Sequence, residues 1–307
     1  MIITGKKFSK PEMSRVINGD KKLHETEEKP ETVRLDKFLV SKYRSYNRAS
    51  LQKFIERGFV TVNGELAKKP NQQVLETDTI ILTVPESEIV KPKLNILYED
   101  SHCLVVDKPA GLLSMRKGEY CPEATLEDYG LLVHRLDRDT SGVVILAKDP
   151  DTQSFLRRQF QARTTHKTYV AVVSGRPRLD SALIDLPIAR NLKHPTTFLV
   201  DPSGKPSQTN YRVLDSDGTH SLVELRPISG RTHQLRVHMH YLGTPILGDR
   251  VYGKDTKSHK ESDRLYLHAQ SLEITIPNPD DENGPNIRKT FTSPVPPDFT
   301  AQINQDR

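Results

Sequence analysis

The sequence has little of two residue types, tryptophan and cysteine. It contains no tryptophan and only two cysteines among 307 residues. Two cysteines are too few for a disulfide framework, and Cys103 and Cys121 lack the spacing of metal ligands. We therefore expect a reducing compartment, the cytoplasm, and we place Cys103 in the core because it lies in an apolar run.

Long apolar runs are also missing. No stretch approaches the roughly 20 residues that cross a bilayer, and no apolar segment of a secretory signal follows the basic N-terminal residues. These absences predict a soluble protein without membrane contact. Hydrophobic residues still make up 35% of the chain, which suffices for a buried core in one large domain or two unequal ones.

The first third of the chain contains three segments that differ in composition and in hydrophobic pattern. Residues 1–32 are polar and mixed in charge, so we expect a flexible extension. From Val33 the pattern predicts two short helices and then strands, the first of which ends in Asn63-Gly64, a strong hairpin signal. A polar segment bounded by prolines, residues 85–93, is the expected linker. The apolar positions at helical spacing are Leu35, Phe38, Leu39, Leu51, Phe54 and Ile55.

Positive charge is concentrated on these two predicted helices. The net charge of the whole chain is only +5, which permits a polyanionic partner without requiring one. Between Arg34 and Arg57, however, the acidic residues are only Asp36 and Glu56. A basic face that continues across two helices favours contact with a phosphate backbone over simple solvation.

This segment resembles the S-four RNA-binding module. The motif consists of Arg34-Leu35-Asp36-Lys37-Phe38-Leu39, then Asn47-Arg48-Ala49-Ser50, then residues 55–64. Family members commonly have serine at the positions of Asn47 and Ala49, which is a mild departure. The resemblance implies an α+β module and linker over residues 33–92. It also implies RNA contacts by Arg34, Lys37 and Arg48.

The second feature is a charged cluster directly before an apolar run. His134-Arg135-Leu136-Asp137-Arg138-Asp139 is closed by Thr140-Ser141-Gly142 and followed by the apolar residues 143–147. Such a cluster places polar side chains at the edge of a sheet, where functional loops are held by rigid elements. The alternative is a charged turn between strands, because Asp, Ser and Gly are common in turns. Residue types alone leave both open.

The remainder of the chain is mostly strands with a few helices, which predicts an α+β fold rather than a doubly wound one. One helix is expected to begin after the capping Asp149, with Pro150 at its first position. Another is expected from Thr232 to Leu242. No P-loop or Gly-x-Gly-x-x-Gly pattern is present.

Six motifs of residues 93–307 resemble, in order, those of the RluA-type RNA pseudouridine synthases, which commonly carry an S-four module. The resemblance implies a mixed, largely antiparallel central sheet with flanking helices. It also implies isomerisation of uridine in RNA: the bond from uracil nitrogen 1 to the sugar breaks, and the base rejoins through carbon 5. The motifs are 105–112, 134–142, 167–169, 205–211, 230–253 and 267–269.

The same resemblance assigns chemical roles to three residues. Asp137 is the essential carboxylate, and Arg236 is the arginine that pairs with it and keeps it ionised. Tyr169 matches the tyrosine that stacks on the uracil and assists proton removal. Whether Asp137 adds covalently to the sugar or removes a sugar proton stays open. Asp139 occupies the loop position rather than the position of the catalytic carboxylate.

Three further residues of the catalytic domain are expected to contact the RNA. Arg135 matches a residue that inserts into the RNA stack when the base is flipped out. His134 beside it is a substrate contact, and Leu267 lines the base pocket. The chemistry involves no redox step, so we expect no cofactor and no metal. We expect a monomer.

Other interpretations of the sequence stay open. His233 and His240 share a predicted helical face with Arg236, and with His238 they allow a metal-dependent hydrolase. A non-catalytic RNA-binding protein, such as a ribosome assembly factor, would explain the S-four motif equally well. For the enzyme, the S-four motif favours large-subunit ribosomal RNA as substrate. The short segment between Leu113 and His134 and the basic stretch near Arg190 resemble the compact family members that accept small stem-loops. Ribosomal RNA is the expected substrate, and transfer RNA is the alternative.

Overall fold

The computed structural model describes residues 32–43, 46, 48–83, 91–116, 123–253, 262–281 and 284–303. The expected N-terminal extension up to residue 31, Asn47, Cys121 and residues 84–90 of the expected linker lie outside the described residues. Contacts divide the described chain into two compact units. Residues 32–83 belong to the first unit, and residues 91–116 with 123–303 belong to the second.

The first unit is a small α+β module. Strand β1 (Thr32–Arg34) pairs antiparallel with β4 (Gln73–Leu75), and β3 (Glu65–Leu66), β2 (Val60–Val62) and β5 (Ile80–Leu82) form a second sheet. Asn63 and Gly64 connect β2 to β3 with φ angles of 52° and 86°, the positive values that a type I′ hairpin turn requires, which confirms the predicted hairpin. The helices of this unit are α1 (Leu35–Lys42) and α2 (Arg48–Glu56).

The second unit contains the remaining strands and three of the helices. A one-turn 3-10 helix spans Leu126–Asp128. The strands are β6 (Asn95–Glu99), β7 (Cys103–Lys108), β8 (Leu131–Leu132), β9 (Ser141–Ala147), β10 (His166–Ser174), β11 (Ser181–Asp185), β12 (Ile188–Arg190), β13 (Phe198–Val200), β14 (Gln208–Ser216), β15 (His220–Pro227), β16 (Leu267–Ile276) and β17 (Ile287–Thr292). The helices are α3 (Pro150–Ala162), α4 (Gln234–Tyr241) and α5 (Pro297–Ala301).

A ten-stranded sheet organises the second unit. Its strand order is β11-β14-β15-β10-β16-β9-β7-β6, with β17 also paired to β16 and β8 to β9. Strands β16 and β9 run parallel, whereas the other pairs of this sheet are antiparallel. The predicted α+β class with a mixed, largely antiparallel sheet is therefore confirmed.

Helices pack against both faces of this sheet. Successive side chains of a strand point to opposite faces, so each strand contributes to both contacts. Ala171 and Val173 of β10 pack in one cluster with Leu235 and Met239 of α4. Val170 and Val172, which point to the opposite face, pack with Phe299 of α5. Cys103 is fully buried in the cluster beneath α3, as predicted.

The helix boundaries agree with the sequence at α3 and differ at α4. Asp149 caps α3 by accepting a hydrogen bond from the Thr152 N–H at 2.8 Å, and Pro150 is the first helical residue, as predicted. Helix α4 begins at Gln234 rather than Thr232, and His233 precedes it with a left-handed φ of 56°. The expected helical face shared by His233, Arg236 and His240 is therefore wrong at His233. Among the described residues, no helix is long and apolar enough to cross a membrane.

Candidate active site

The loop that carries Asp137 is fixed from below by a buried lysine. Lys108 ends β7, and its ammonium donates to the carbonyls of Pro109, Leu112 and Arg138 at 2.9, 2.8 and 2.8 Å. The Arg138 carbonyl belongs to the residue after Asp137. Burial lowers the pKa of Lys108 to about 7, although the nearby carboxylates oppose this shift. Three carbonyl acceptors use all three ammonium protons, so the contact ties two loops together.

Replacing this lysine should loosen the loop that carries Asp137. Lys108→Met keeps the length of the side chain but leaves buried carbonyls without their donor, which should lower the free energy of unfolding by about 1–3 kcal/mol. Chemical denaturation followed by circular dichroism measures this change. Lys148→Met is the matched control, because Lys148 pairs with Glu99 at the surface and its loss should change stability by less than about 1 kcal/mol. Equal losses in both variants would contradict the anchoring role.

Arg236 joins two carboxylates that come from distant parts of the chain. Its Nη1 donates to Asp137 Oδ2 at 3.2 Å. Its Nε and Nη2 donate to the two oxygens of Asp249 at 2.7 and 2.8 Å, which is the bidentate arrangement that fixes a guanidinium in one plane. Arg236 and Asp249 are buried, whereas the side chain of Asp137 is 21% exposed. The expected contact between Asp137 and Arg236 is thus present. Of the two carboxylates that Arg236 contacts, that of Asp137 is the more accessible to solvent.

The electrostatics keep the Arg236–Asp249 pair ionised. Burial raises the pKa of Asp249, but the hydrogen bonds and charge of Arg236 outweigh burial, so this pKa lies below its usual range. Burial likewise acts to lower the pKa of Arg236, and the two carboxylates raise it further than burial lowers it. A permanently charged guanidinium therefore faces Asp137.

These residues border a cavity of about 470 Å³ in the second unit. A volume of this size suits a small-molecule or nucleotide-sized ligand. Tyr169, in the middle of β10, forms part of its wall. Burial, assisted by the charge of Asp137, raises the pKa of the Tyr169 hydroxyl, so this hydroxyl stays protonated at neutral pH. The predicted residues of this domain that line the cavity are His134, Arg135, Asp137, Tyr169, Arg236 and Leu267.

The three expected substrate contacts differ in what they offer. Arg135 is exposed and lies at the rim. Leu267 is 3% exposed and gives the wall an apolar surface. His134 stacks on Phe160 with ring centroids 4.5 Å apart, and its Nε2 accepts the Ile145 N–H at 3.2 Å. Burial, with a smaller effect of Lys167, lowers the pKa of His134 to about 3, so His134 supplies a neutral wall rather than a charge.

His233 is a site residue that helical periodicity misplaced. Its Nδ1 lies 2.8 Å from the Tyr252 hydroxyl, which itself accepts the Phe198 N–H at 3.0 Å. The other ring nitrogen of His233, Nε2, lies 3.9 Å from Asp137 Oδ2. A left-handed backbone at a non-glycine residue is uncommon and concentrates at functional sites, but no local pattern in the sequence predicts it here.

The other histidines do not join His233 in a metal site. His238 is fully buried, with Nδ1 2.9 Å from Thr209 Oγ1 and Nε2 3.1 Å from the Leu186 carbonyl. Both of its ring nitrogens are therefore used inside the fold. Within the described ranges, no group of three His, Cys, Asp or Glu side chains could hold a metal ion.

In the first unit, an acidic residue orients the expected RNA-binding arginines. Asp36 is completely buried and accepts hydrogen bonds from Arg34 at 2.9 and 3.1 Å, from Arg48 at 2.9 and 3.2 Å and from Gln52 at 2.8 Å. The side chains of Arg34 and Arg48 stay 39% and 48% exposed. Lys37 is exposed as well. The hydrogen bond from Arg34, assisted by those from Gln52 and Arg48, outweighs burial and holds the pKa of Asp36 well below its usual range.

Asp36→Asn should weaken the first unit in a pH-dependent way. Because the pKa of Asp36 is depressed in the folded state, its stabilisation is present above about pH 4 and is lost as the pH falls through the folded-state pKa. At pH 7 we expect amide protons of α1 and α2 to lose about 1–3 kcal/mol of protection, measured by hydrogen exchange on the whole protein. The difference from wild type should narrow at acidic pH. A difference that is constant with pH would contradict an ionised Asp36.

Comparisons with known proteins agree with this geometry. The family model described as RNA pseudouridylate synthase matches residues 102–241, and the S4 domain model matches residues 33–80. An uncharacterized RNA pseudouridine synthase of Aquifex aeolicus is 39% identical over 251 residues, covering 74% of this chain and 79% of that protein. Ribosomal large subunit pseudouridine synthase D of Borreliella burgdorferi is 35% identical over 303 residues, covering 90% of each.

A solved structure gives the same result. Human RNA pseudouridylate synthase domain containing 1 superimposes with a TM-score of 0.58 at 28% identity, covering 69% of this chain and 90% of that one. The fold and the cavity thus define an enzyme that acts on RNA. The chain belongs to the RNA pseudouridine synthase family and carries an S-four domain, which confirms the predicted family and enzyme class.

Proposed function

We propose that this protein isomerises specific uridines of large-subunit ribosomal RNA, with Asp137 as the catalytic carboxylate. One observation carries the catalytic assignment: Asp137 presents an accessible carboxylate to the cavity while Arg236 holds it from behind. The relative of Borreliella burgdorferi and that of Nitrosomonas europaea, each matching about nine tenths of this chain, are named for the large ribosomal subunit, which supports the choice of RNA.

The proposed reaction begins with removal of the target base from its stack into the cavity. Arg135, which is exposed at the rim, then occupies the space that the base leaves. Asp137 then acts on the sugar, either by adding to it or by removing a proton, and the bond to nitrogen 1 breaks. Tyr169 stacks on the free uracil. Once the new carbon–carbon bond has formed, its protonated hydroxyl relays the proton of carbon 5, accepting that proton while it passes its own to water. Leu267 and His134 contribute the remaining walls.

The S-four domain supplies a second grip on the RNA. Arg34, Lys37 and Arg48 are exposed cations on α1, α2 and the adjoining strand, and they suit the phosphate backbone. We assign residues 33–92 to this domain and its linker, residues 93–307 to the catalytic domain, and residues 1–32 to an extension. Isomerisation changes no oxidation state, so we propose that the reaction needs neither a metal nor an organic cofactor. We also propose that the protein is a monomer and works in the cytoplasm.

Mapping pseudouridine after incubation with RNA tests this proposal. Purified protein is incubated separately with an unmodified large-subunit ribosomal RNA transcript and with unmodified transfer RNAs, and pseudouridines are located at single-nucleotide resolution. We expect modification at a few defined positions of the ribosomal RNA. Modification of transfer RNA alone would contradict the proposed target, and modification of neither RNA would contradict the proposed function.

A further inference from the structure

Lys167 places a cation inside the cavity, next to the proposed base-stacking residue. It precedes Tyr169 by two positions on β10, so both side chains leave the same face of the sheet about 6.6 Å apart. Both line the cavity together with Asp137. The ammonium approaches the loop before α4, where a Cβ built on Gly230 would lie 3.8 Å from Lys167 Nζ. A substituent at Gly230 would thus meet the lysine.

This ammonium differs from the buried cations of Lys108 and Arg236 in its lack of partners. Lys108 is surrounded by three carbonyls, and Arg236 is held by two carboxylates. In the part of the chain that the structure describes, Lys167 makes neither a hydrogen bond nor an ion pair. Burial lowers its pKa, which shows that the surroundings disfavour the charge. An anionic ligand in the cavity would offset that cost.

The reaction creates such an anion. When the bond between carbon 1′ and nitrogen 1 breaks, its electron pair goes to uracil, and the charge spreads over nitrogen 1 and the two carbonyl oxygens. This holds whether Asp137 adds to the sugar or removes a sugar proton. The negative charge of Asp137 opposes a second anion nearby, so a donor on the base side of the cavity lowers the barrier.

We propose that Lys167 is a catalytic residue that donates a hydrogen bond from its ammonium to a carbonyl oxygen of the departing uracil. The inference rests on the proposed function of the cavity. The ammonium keeps its proton throughout, and the uracil electron pair returns to carbon 1′ through the new bond from carbon 5. The proton on carbon 5 is then lost and nitrogen 1 gains one, so the net change is an isomerisation.

A phosphate contact is the competing role, and the position of Lys167 argues against it. Lys167 is half-buried beside Tyr169 in the wall of the cavity. Arg135 and Arg163 are exposed around the same cavity, where the charged RNA backbone must stay in water. The rim therefore suits phosphate, whereas the wall suits the base.

Two kinetic constants separate these roles. In Lys167→Met, the single-turnover rate constant at saturating enzyme should fall about 100-fold, while the Kd for RNA from filter binding is unchanged. Lys167→Arg should recover most of the rate because it restores a charged donor. Lys148→Met is the control and should match wild type in both constants. Lys167→Gln provides a second neutral variant if the methionine variant does not fold.

A better leaving group makes the test specific. Fluorine at carbon 5 withdraws electrons and stabilises the uracil anion, so RNA with 5-fluorouridine at the target depends less on Lys167. The deficit of Lys167→Met in glycosidic bond cleavage should therefore shrink on this substrate. An equal deficit on both substrates overturns the proposal, as does a raised Kd with an unchanged rate constant, the result expected for a phosphate contact.

Failure of this inference is distinguishable from failure of the proposed function. If wild type forms pseudouridine, Asp137→Asn does not, and Lys167→Met reacts at the wild-type rate, only the role of Lys167 is rejected. If wild-type protein leaves uridine unchanged in every RNA, the function of the cavity is rejected together with the role of Lys167.

Discussion

Asp137→Asn should abolish pseudouridine formation while the protein still folds and binds RNA. The amide has nearly the shape of the carboxylate, but it is a poor nucleophile and a poor base, and it does not neutralise Arg236. Loss of the group that makes or breaks bonds typically lowers kcat by about 10⁴-fold or more. Digestion of the product RNA to nucleosides, followed by chromatography with mass detection, measures the remaining turnover.

Asp139→Asn is the matched control for that result. Asp139 lies two residues further along the same loop and is exposed, but it does not line the cavity or contact Arg236. Its substitution should leave kcat close to wild type. If Asp139→Asn is inactive and Asp137→Asn is active, the carboxylates have been assigned the wrong way round.

Asp249→Asn should give the second-largest effect, although Asp249 does not line the cavity. Its carboxylate takes two of the hydrogen bonds of Arg236 and also accepts the N–H groups of Val251 and Tyr252 at 2.9 and 3.0 Å. The variant leaves the guanidinium free to rotate and to form a closer pair with Asp137. Displacement of a catalytic group by about 1 Å can cost about 100-fold in rate, and we expect a loss of that order.

If Asp249 acts by positioning Arg236, the loss of activity should fall on one kinetic constant and not on the others. The decrease should appear in kcat, whereas KM and the Kd for RNA stay near wild type, because Asp249 does not touch the substrate. Asp249→Glu should recover part of the rate, since it restores the charge with a different reach. A loss confined to thermal stability, with kcat unchanged at low temperature, would show that Asp249 serves the fold alone.

The three residues proposed for catalysis are easier to predict from the sequence than the residues around them. The positions of Asp137, Tyr169 and Arg236 follow from ordered motifs, and the structure brings all three to one cavity. Asp249 lies in the last part of the same motif, but no local pattern pairs it with Arg236. That pairing depends on how the segment after α4 folds back, which is a tertiary contact between residues 13 positions apart.

The remaining differences have the same origin. Helical periodicity does not predict the left-handed backbone of His233. In the structure, the Gln234 side chain accepts the Arg231 N–H at 3.0 Å, and helix α4 begins only at Gln234. A lysine at the end of an apolar strand, such as Lys108, resembles a surface residue until the loop carbonyls enclose it. The composition identified Asp36 as one of two acidic residues among many basic ones, but not as their buried hydrogen-bond acceptor.

Release of tritium from carbon 5 of uridine tests the central claim most directly, because that hydrogen leaves only when the base has rejoined the sugar through carbon 5. RNA labelled at this position is mixed with excess enzyme for a single turnover. We predict stoichiometric release per target uridine by wild type, slowed release by Asp249→Asn and none by Asp137→Asn. Release by Asp137→Asn at the wild-type rate would contradict the role of Asp137 and the account of the cavity built on it.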